Sequence, residues 1–305
     1  NNVQGACDMG GLPNVFTGYQ AVNNENINQK FATAWNADLS AEIGLAIPEM
    51  ISGLDDGSLK ALYVMGENPV MSDPDCNHAR KALQNAELLV VQDIFLNETA
   101  ELADVVLPGA SFAEKDGTFT NTERRVTRIR EAIEPVGDSK RDWEIIQELS
   151  NKFGYPMQFS SAEEIMQEIA ELTPSYGGIT YDRLEGEGLQ WPCTDQSHPG
   201  TKYLHKDGFA RGKGKFHAIE FKPPAETVDE EYPLWLTTGR VFAHYHTGTM
   251  TRNSPTLNCA VGSGYLEINP ADAQKFQISP EDKVQVSSRR GNIEISALGT
   301  DRVEP

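Results

Sequence analysis

Long apolar runs are missing from this sequence. No stretch approaches the ~20 consecutive apolar residues that a membrane-spanning helix needs, so we expect no direct membrane insertion. The first residues, Asn1 to Gly5, contain neither the basic segment nor the apolar core of a signal peptide. These absences predict a cytoplasmic protein, and the abrupt ends of the sequence suggest a piece of a longer chain.

Positive charge is also scarce. The 305 residues include 26 Lys and Arg against 45 Asp and Glu, which gives a net charge of −19. Because such a charge repels the phosphates of nucleic acids and anionic lipids, we expect neither as a partner. A phosphate-bearing ligand would have to be held by a local pocket of basic side chains and backbone N–H groups.

Cysteine is rare, and its four occurrences are not paired in the sequence. Cys7, Cys76, Cys193 and Cys259 stand far apart, whereas structural zinc and iron–sulfur sites use closely spaced cysteines. The G-x-S-x-G elbow of serine hydrolases is absent as well. We therefore expect no metal ligand and no catalytic residue within this sequence.

An alternation of apolar runs and helical stretches is present in the first half of the chain. Residues 59–65, 88–91 and 104–108 have the character of strands, and residues 78–86 that of a helix. The second run has no polar alternation, which is typical of a strand buried on both faces of a parallel sheet. We predict a doubly wound, Rossmann-like α/β domain, in which ligands bind beyond the carboxyl ends of the strands.

Polar side chains follow two of these strands and recur further along the chain. Asn68 comes just after the first strand, and Gln92 and Asp93 come after the second. Asp93 and Asp142 could each accept two hydrogen bonds from a guanine N1–H and exocyclic amine. Asp142 has an alternative role, since Ser139-x-x-Asp142 has the spacing of a helix capping box.

A second polar segment, residues 237–252, follows an apolar run at 232–236 that we predict to be a strand. We call this segment the histidine loop. It combines Gly and Thr with two histidines and two arginines, and therefore suits an extended anionic ligand. His244 and His246 would share one face of an extended chain, but with no third ligand nearby a metal pair is the weaker interpretation.

Beyond residue 222 the composition changes from α/β to β. The polar, Pro-containing stretch 222–231 is the best candidate linker, so we divide the chain into domains 1–222 and 223–305. Strands are predicted at residues 216–221, 264–268, 283–288 and 292–297, the last two forming a hairpin. Several strands around one helix, which starts at Asn269, predict a small β-barrel.

Several short motifs occur in a fixed order along the chain. They are Asn-Asn-Val-Gln-Gly-Ala-Cys-Asp-Met-Gly at 1–10, Met-Gly-Glu-Asn-Pro at 65–69, Val-Gln-Asp-Ile-Phe at 91–95, Ala-Asp-Val-Val-Leu-Pro at 103–108, Glu-Lys-Asp-Gly-Thr at 114–118 and Thr-Gly-Arg at 238–240. Together they closely resemble the catalytic subunits of molybdenum- or tungsten-dependent formate dehydrogenases. The resemblance covers essentially the whole chain. It implies an α/β portion followed by a double-psi-like barrel that binds a molybdopterin dinucleotide, truncated at both ends.

The resemblance also implies a cofactor, bis-molybdopterin guanine dinucleotide with molybdenum or tungsten. The residues that it places on this cofactor are Gln4, Asn68, Gln92, Asp93, Lys115, Asp142, Thr238, Gly239, Arg240, His244, His246 and Thr247. Gln4 would approach a pterin near the metal, and the residues from Asn68 to Asp142 would hold one guanine dinucleotide. The histidine loop would wrap a pterin and its pyrophosphate, with Arg240 and His244 closest to the dithiolene end.

The family's metal-ligating cysteine or selenocysteine and its 4Fe–4S cysteines precede the region that this sequence matches. We therefore expect the missing N-terminal half of the same subunit as a partner, with iron–sulfur or flavin subunits that accept the electrons of formate oxidation to CO2. The fragment alone is expected to be inactive. Two alternatives remain open: a nitrate reductase-type enzyme and a non-catalytic scaffold. The opening motif and Gln190-Trp191-Pro192-Cys193 favour formate.

Overall fold

The computed structural model describes residues 2–209 and 211–305. The helices are α1 (Val3–Asp8), α2 (Glu25–Trp35), α3 (Ile47–Asp56), α4 (Pro69–Ser72), α5 (Cys76–Gln84), α6 (Asp142–Lys152), α7 (Ala162–Leu172), α8 (Pro255–Ala260) and α9 (Pro270–Lys275). The strands are β1 (Val15–Phe16), β2 (Gln20–Ala21), β3 (Ala61–Met65), β4 (Leu88–Asp93), β5 (Val105–Pro108), β6 (Gly117–Thr120), β7 (Arg125–Ile129), β8 (Leu189–Gln190), β9 (Tyr265–Ile268), β10 (Lys283–Ser288) and β11 (Gly291–Gly299).

The chain forms two compact units. Unit 1 consists of Asn1–Glu67 and Ala79–Lys215, and unit 2 of Asn68–His78 and Phe216–Pro305. A bilayer-crossing helix needs about 20 mostly apolar residues, and none of the helices in the described ranges meets that requirement.

A three-stranded parallel sheet, β3-β4-β5, organises the first half of unit 1. Its central strand buries Leu89 and Val91, but Leu88 is 44% exposed, so the burial on both faces that the apolar run predicted is not observed. The register pairs Met65 with Gln92 and Asp93 with Pro108, so the carboxyl ends of all three strands lie at one edge. The sheet confirms the predicted mixed α/β character and places polar residues where such sheets bind ligands.

A second core in unit 1 lies beside the antiparallel sheet β6-β7-β8. The charge-rich stretch 114–125 leads into the hairpin of β6 and β7, which buries Val126 on its apolar side. The buried residues of this core are Val126, Met166, Tyr176, Ile179, Tyr181, Leu184 and Cys193. Tyr176 and Cys193 come from the irregular region after α7, which is therefore packed into the unit despite its many Gly and Pro residues.

The start of α6 corrects one sequence prediction. The Ser139 hydroxyl donates to the carbonyl of Val136 at 2.8 Å and does not cap the helix. The helix begins at Asp142, and Glu144 accepts from the backbone N–H of Arg141 at 3.1 Å. The capping-box interpretation of Ser139 and Asp142 was therefore wrong, since the helix begins two residues later than that spacing required, and the Asp142 carboxylate is left for other contacts.

Unit 2 contains a three-stranded sheet of order β10-β11-β9. The predicted hairpin is confirmed, with Ser288 opposite Gly291 across a two-residue turn, and β9 runs parallel to β11. The helix predicted from Asn269 is α9, which Asn269 caps by accepting from the N–H of Ala271 at 2.9 Å. Within the described ranges the strands of this unit do not close into a barrel.

The strands predicted at 216–221 and 232–236 are wrong. Both segments are irregular in the structure, and apolar side chains such as Phe216, Ile219 and Trp235 are exposed. An apolar run becomes a strand only when a neighbouring strand satisfies its N–H and C=O groups. Among the described residues no strand pairs with either segment.

Candidate cofactor-binding site

Side chains from neighbouring strands and from α6 meet at the carboxyl edge of the parallel sheet. We call this group the strand-end cluster: Tyr63, Gln92, Lys115 and Asp142. The Tyr63 hydroxyl donates to Oε1 of Gln92, and Nε2 of Gln92 donates to Oδ1 of Asp142 at 2.7 Å. Lys115 forms an ion pair with Oδ2 of the same carboxylate. The sheet thus brings together three of the predicted cofactor residues and one, Tyr63, that was not predicted.

Gln92 is the buried member of the cluster, with 1% of its surface exposed. Its carbonyl oxygen and its amino group are both occupied, by Tyr63 and by Asp142. Tyr63 reaches it because paired residues of parallel strands share a face, and Met65, two residues after Tyr63, pairs with Gln92. Burial, with a contribution from the nearby Asp142 charge, raises the pKa of Tyr63 above its ordinary value. Gln92 therefore lies behind Asp142 and orients it.

Asp142 lies beside Gly109, the residue that follows β5. A Cβ atom at position 109 would come within 3.0 Å of Oδ1 of Asp142, which is closer than side chains normally pack. Glycine at position 109 therefore lets the backbone approach this carboxylate oxygen closely. Each carboxylate oxygen has two lone-pair directions, so Asp142 can accept further hydrogen bonds beyond those from Gln92 and Lys115.

Asp93 has a different environment. Its Oδ1 accepts from the backbone N–H groups of Ile94 at 2.6 Å and Phe95 at 3.3 Å, and its Oδ2 accepts from the Asn97 amide at 2.9 Å. Burial raises the pKa of Asp93, while these three donors act in the opposite direction. The carboxylate stabilises the turn after β4, and only Oδ2 has spare accepting capacity for a ligand.

His244 is the buried residue of the histidine loop, with 7% of its surface exposed. Its Nε2 lies 2.7 Å from the carbonyl of Val261, which can only accept, so Nε2 carries a proton. In the neutral ring Nδ1 then accepts from the Thr251 hydroxyl at 3.0 Å. Thr251 Oγ1 in turn accepts from the N–H of Tyr245 at 3.2 Å. Through these hydrogen bonds, both ring nitrogens of His244 stabilise the conformation of the histidine loop.

The remaining predicted residues of this loop are exposed. They are Thr238, Gly239, Arg240, His246 and Thr247. His246 adopts a positive φ of 49° and packs edge-on against Tyr245, with 4.4 Å between ring centroids. The second arginine, Arg252, donates to the carbonyl of Gly262 at 3.0 Å. Arg240 thus remains as the exposed guanidinium of the segment.

Asn68 belongs to unit 2, unlike the other residues predicted to hold the guanine dinucleotide. It is buried, and its Nδ2 donates to Oγ1 of Thr249 in the histidine loop at 3.1 Å. The structure therefore connects Asn68 with the loop, although in the sequence it follows the first strand of the parallel sheet.

Gln4 lies on α1 in a group that we call the Asp8 cluster: Gln4, Asp8, Tyr19, Tyr176 and Trp191. Gln4 donates to Oδ1 of Asp8 at 2.8 Å, one helical turn along α1. Tyr19, Tyr176 and Trp191 donate to the same carboxylate. In the described ranges no group of three or more His, Cys, Asp or Glu side chains is placed to hold a metal ion.

Two family models match this chain. Residues 1–152 match the molybdopterin oxidoreductase model, and residues 234–305 match the molydopterin dinucleotide binding domain model. The first includes the strand-end cluster and the second the histidine loop. The chain belongs to the molybdopterin oxidoreductase family. Its two matched regions together support a molybdopterin cofactor.

Several curated proteins that are similar to the chain are named as formate dehydrogenases. The chain is 53% identical to the F420-dependent formate dehydrogenase subunit alpha of Methanocaldococcus jannaschii, over 100% of the chain and 45% of that protein. It is 40% identical to formate dehydrogenase H of Escherichia coli, over 99% of the chain and 43% of that protein. The chain thus spans less than half the length of these two relatives.

A solved structure has the same fold at lower sequence similarity. Acetylene hydratase from Pelobacter acetylenicus superposes on 91% of the chain with a TM-score of 0.62 and 18% sequence identity, and 41% of that protein is covered. This likeness concerns the fold alone.

Sequence reasoning assigned no cofactor-binding role to Tyr63, to Gly109 beside the strand-end cluster, or to Asp8 and its partners Tyr19, Tyr176 and Trp191. The signal for Tyr63 was its place on a strand next to the one that carries Gln92, and Gly109 directly follows a strand end. Asp8 stands four residues after Gln4 within a helix, the spacing at which side chains meet. Its buried partners come from distant parts of the sequence, so its burial had no local signal.

Proposed function

We propose that this chain is part of the catalytic subunit of a formate dehydrogenase and holds a bis-molybdopterin guanine dinucleotide with molybdenum or tungsten. The observation that carries the proposal is the strand-end cluster, where Gln92 orients the Asp142 carboxylate from behind and the carboxylate keeps accepting capacity for a ligand. The formate dehydrogenases that match the chain over its whole length support the substrate.

The donors and acceptors present fit a guanine dinucleotide. Asp142 would accept from the N1–H and the exocyclic amine of guanine, the pair of donors that distinguishes guanine from adenine. Lys115 uses one of its three N–H groups on Asp142, so the others can bind a phosphate or ribose oxygen. Gln92 would act indirectly, by orienting Asp142. Asp93 would also act indirectly, by stabilising the turn after β4. The geometry favours Asp142 over Asp93 as the guanine acceptor.

The histidine loop supplies groups for an anion. Arg240 and the hydroxyls of Thr238 and Thr247 are exposed, and a guanidinium binds phosphate oxygens in a bidentate way. We infer that they contact the pyrophosphate and pterin portion of the cofactor, with His246. His244 would fix the loop from within, because both of its nitrogens are bonded to the protein.

The cofactor, when bound, would supply the two-electron oxidation of formate to CO2. The partners that we propose are the remainder of the same subunit, with the metal-ligating residue and a 4Fe–4S cluster, and an iron–sulfur or flavin subunit in the cytoplasm. We further propose that β3-β4-β5 is part of a Rossmann-like doubly wound sheet. The sheet of unit 2 would then be part of a double-psi-like barrel.

The test uses the catalytic subunit that carries these residues. Asp142→Ala removes two charge-assisted acceptors, each of which contributes roughly 1.5 to 3 kcal/mol. We therefore expect guanine dinucleotide content and formate–viologen turnover to fall by at least about tenfold. Asp138→Ala, an exposed carboxylate near the start of α6, is the matched control and should change neither.

Wild-type cofactor content in Asp142→Ala would refute the assignment of the guanine site. Nitrate reduction without formate oxidation by the wild-type subunit would favour the nitrate reductase alternative. A wild-type subunit that contains no molybdopterin would favour the scaffold.

A further inference from the structure

Asp8 is a fully buried carboxylate, with 0% of its surface exposed. Oδ1 accepts from Gln4 Nε2 at 2.8 Å and from the Tyr19 hydroxyl at 2.9 Å. Oδ2 accepts from the Tyr176 hydroxyl and from Trp191 Nε1, both at 2.6 Å. An ionised carboxylate only accepts hydrogen bonds, so two donors on each oxygen match the charged form.

The groups that donate hydrogen bonds to the Asp8 carboxylate are all neutral side chains. None of the ion pairs within residues 2–209 and 211–305 includes Asp8. The nearby cation is Arg124, which lies over the Trp191 ring with 5.5 Å from Cζ to the ring centroid. Burial raises the pKa of Tyr19 to about 12, and the Asp8 hydrogen bond and charge and the neighbouring Cys7 add to this effect. Burial and Asp8 also raise the pKa of Tyr176.

The amino group of Gln4 is engaged in this cluster. Its Nε2 donates to Asp8 at 2.8 Å and to the Tyr19 hydroxyl at 3.2 Å, two acceptors that lie 2.9 Å apart. Because Asp8 and the Tyr19 oxygen are the acceptors, the amide cannot turn over without placing its oxygen against the carboxylate. No hydrogen bond within the described ranges uses Oε1 of Gln4, which leaves that oxygen as an acceptor at a partly exposed position.

We propose that Asp8 is a positioning residue that fixes the Gln4 amide so that only its oxygen is offered to a bound ligand. The ligand group that fits is an N–H donor of a heterocycle, and a pterin ring carries such groups. The inference rests on the proposed function for the identity of the ligand. The orientation of the amide is independent of it.

The first experiment measures the Asp8 cluster without any cofactor. Tyrosinate absorbance is followed against pH for the protein and for Asp8→Asn, and each curve is compared with the same background carrying Tyr19→Phe. We expect Asp8→Asn to lower the pKa of Tyr19 from about 12 toward the ordinary 10.0. An unchanged Tyr19 titration would overturn the proposal, because Asp8 would then not control its neighbours.

The stability of the protein should also depend on pH, in the direction set by the raised pKa of Tyr19. Since folding raises the pKa of Tyr19, its contribution to stability is complete below pH 10.0 and is lost as the pH rises to about 12. In Asp8→Asn we expect the loss to begin at the same pH, since the unfolded pKa is unchanged, and to end at a lower pH. Tyr203→Phe, which removes an exposed hydroxyl, is the control and should leave the window in place.

The second experiment uses the loaded catalytic subunit that carries these residues. Gln4→Glu places two carboxylates against each other, and we expect the reduction potential of the metal centre to shift and formate turnover to fall by roughly five- to tenfold. Gln4→Glu combined with Asp8→Asn reverses donor and acceptor, because the amide introduced at position 8 can then donate to the carboxylate introduced at position 4. We expect this double variant to recover most of the potential and turnover.

Failure of the double variant to recover, in a subunit with full cofactor content, would overturn the inference while leaving the proposed function intact. A wild-type subunit without pterin would instead refute the proposed function. In that case the Tyr19 titration would still decide whether Asp8 orients Gln4.

Discussion

The strand-end cluster and the histidine loop were both predicted to bind one cofactor, yet they are built differently. The cluster is set by the register of a parallel sheet, and its members bond to one another around a single carboxylate. The loop is irregular except for its last two residues, which begin a 3-10 helix, and it divides its polar groups in two: His244 is buried, while Arg240 and His246 are exposed. A preorganised site loses less conformational entropy on binding. We therefore expect the strand-end cluster to select the guanine base and the histidine loop to adapt to the anionic pyrophosphate.

Among the substitutions that test this difference between the two regions, Gln92→Leu should have the largest effect on stability. Leucine is of similar size but leaves the Tyr63 hydroxyl and one Asp142 oxygen without a buried partner, which costs about 2 to 3 kcal/mol of unfolding free energy. Urea denaturation of the protein measures it. Gln29→Leu on the exposed face of α2 is the control, with an expected change below about 0.5 kcal/mol. A loss as small as that of the control would mean that the cluster is not preorganised.

His244→Leu should cost less, about 1 to 2 kcal/mol by the same measurement, because it removes hydrogen bonds to neutral groups, whereas Gln92→Leu also removes one to the Asp142 carboxylate. The comparison with Gln92→Leu is direct, since both changes put leucine at a buried polar position. If His244→Leu were the more destabilising, the histidine loop would be the more rigid of the two regions.

Tyr63→Phe should cost about 1 kcal/mol, the contribution of one neutral hydrogen bond. Because the folded state raises the pKa of Tyr63, the advantage of the tyrosine is complete below pH 10.0 and is lost as the pH rises through the raised value. Thermal denaturation of both proteins at neutral and alkaline pH checks this. A stability difference that stays constant with pH would contradict the contact with Gln92.

Arg240→Ala should have the smallest effect on stability, below about 0.5 kcal/mol, because exposed side chains away from structural contacts rarely contribute more. Its effect should appear instead in the cofactor content of the loaded subunit. A marked loss of stability would show that the guanidinium is a structural contact and would weaken its proposed role on the pyrophosphate.

The sequence predicted the parallel strands well because their signal is local. Residues 88–91 are uniformly apolar, and the structure buries Leu89 and Val91 completely. The predictions from sequence failed at 216–221 and 232–236, where pairing with a neighbouring strand decides whether a strand forms. An apolar run alone does not reveal whether such a neighbouring strand exists.

The candidate site was predicted by residue type, with less success for individual roles. Gln92, Lys115 and Asp142 do meet, but nothing local indicated that Gln92 would be buried behind Asp142. The capping-box spacing at Ser139 was misleading because the helix start lies two positions later, where Glu144 accepts from the N–H of Arg141. The buried charge of Asp8 depends on Tyr176 and Trp191, which lie 168 and 183 residues away in the sequence.

The division into units also determines how the chain can be cut. The polypeptide passes between the two units after Glu67, after His78 and after Lys215, so unit 2 is assembled from two separate stretches of sequence. A nick after Lys215 would leave this unit composed of two polypeptides. The bond from Asn68 to Thr249 would then join them without a covalent link, as in a protein reconstituted from complementary fragments.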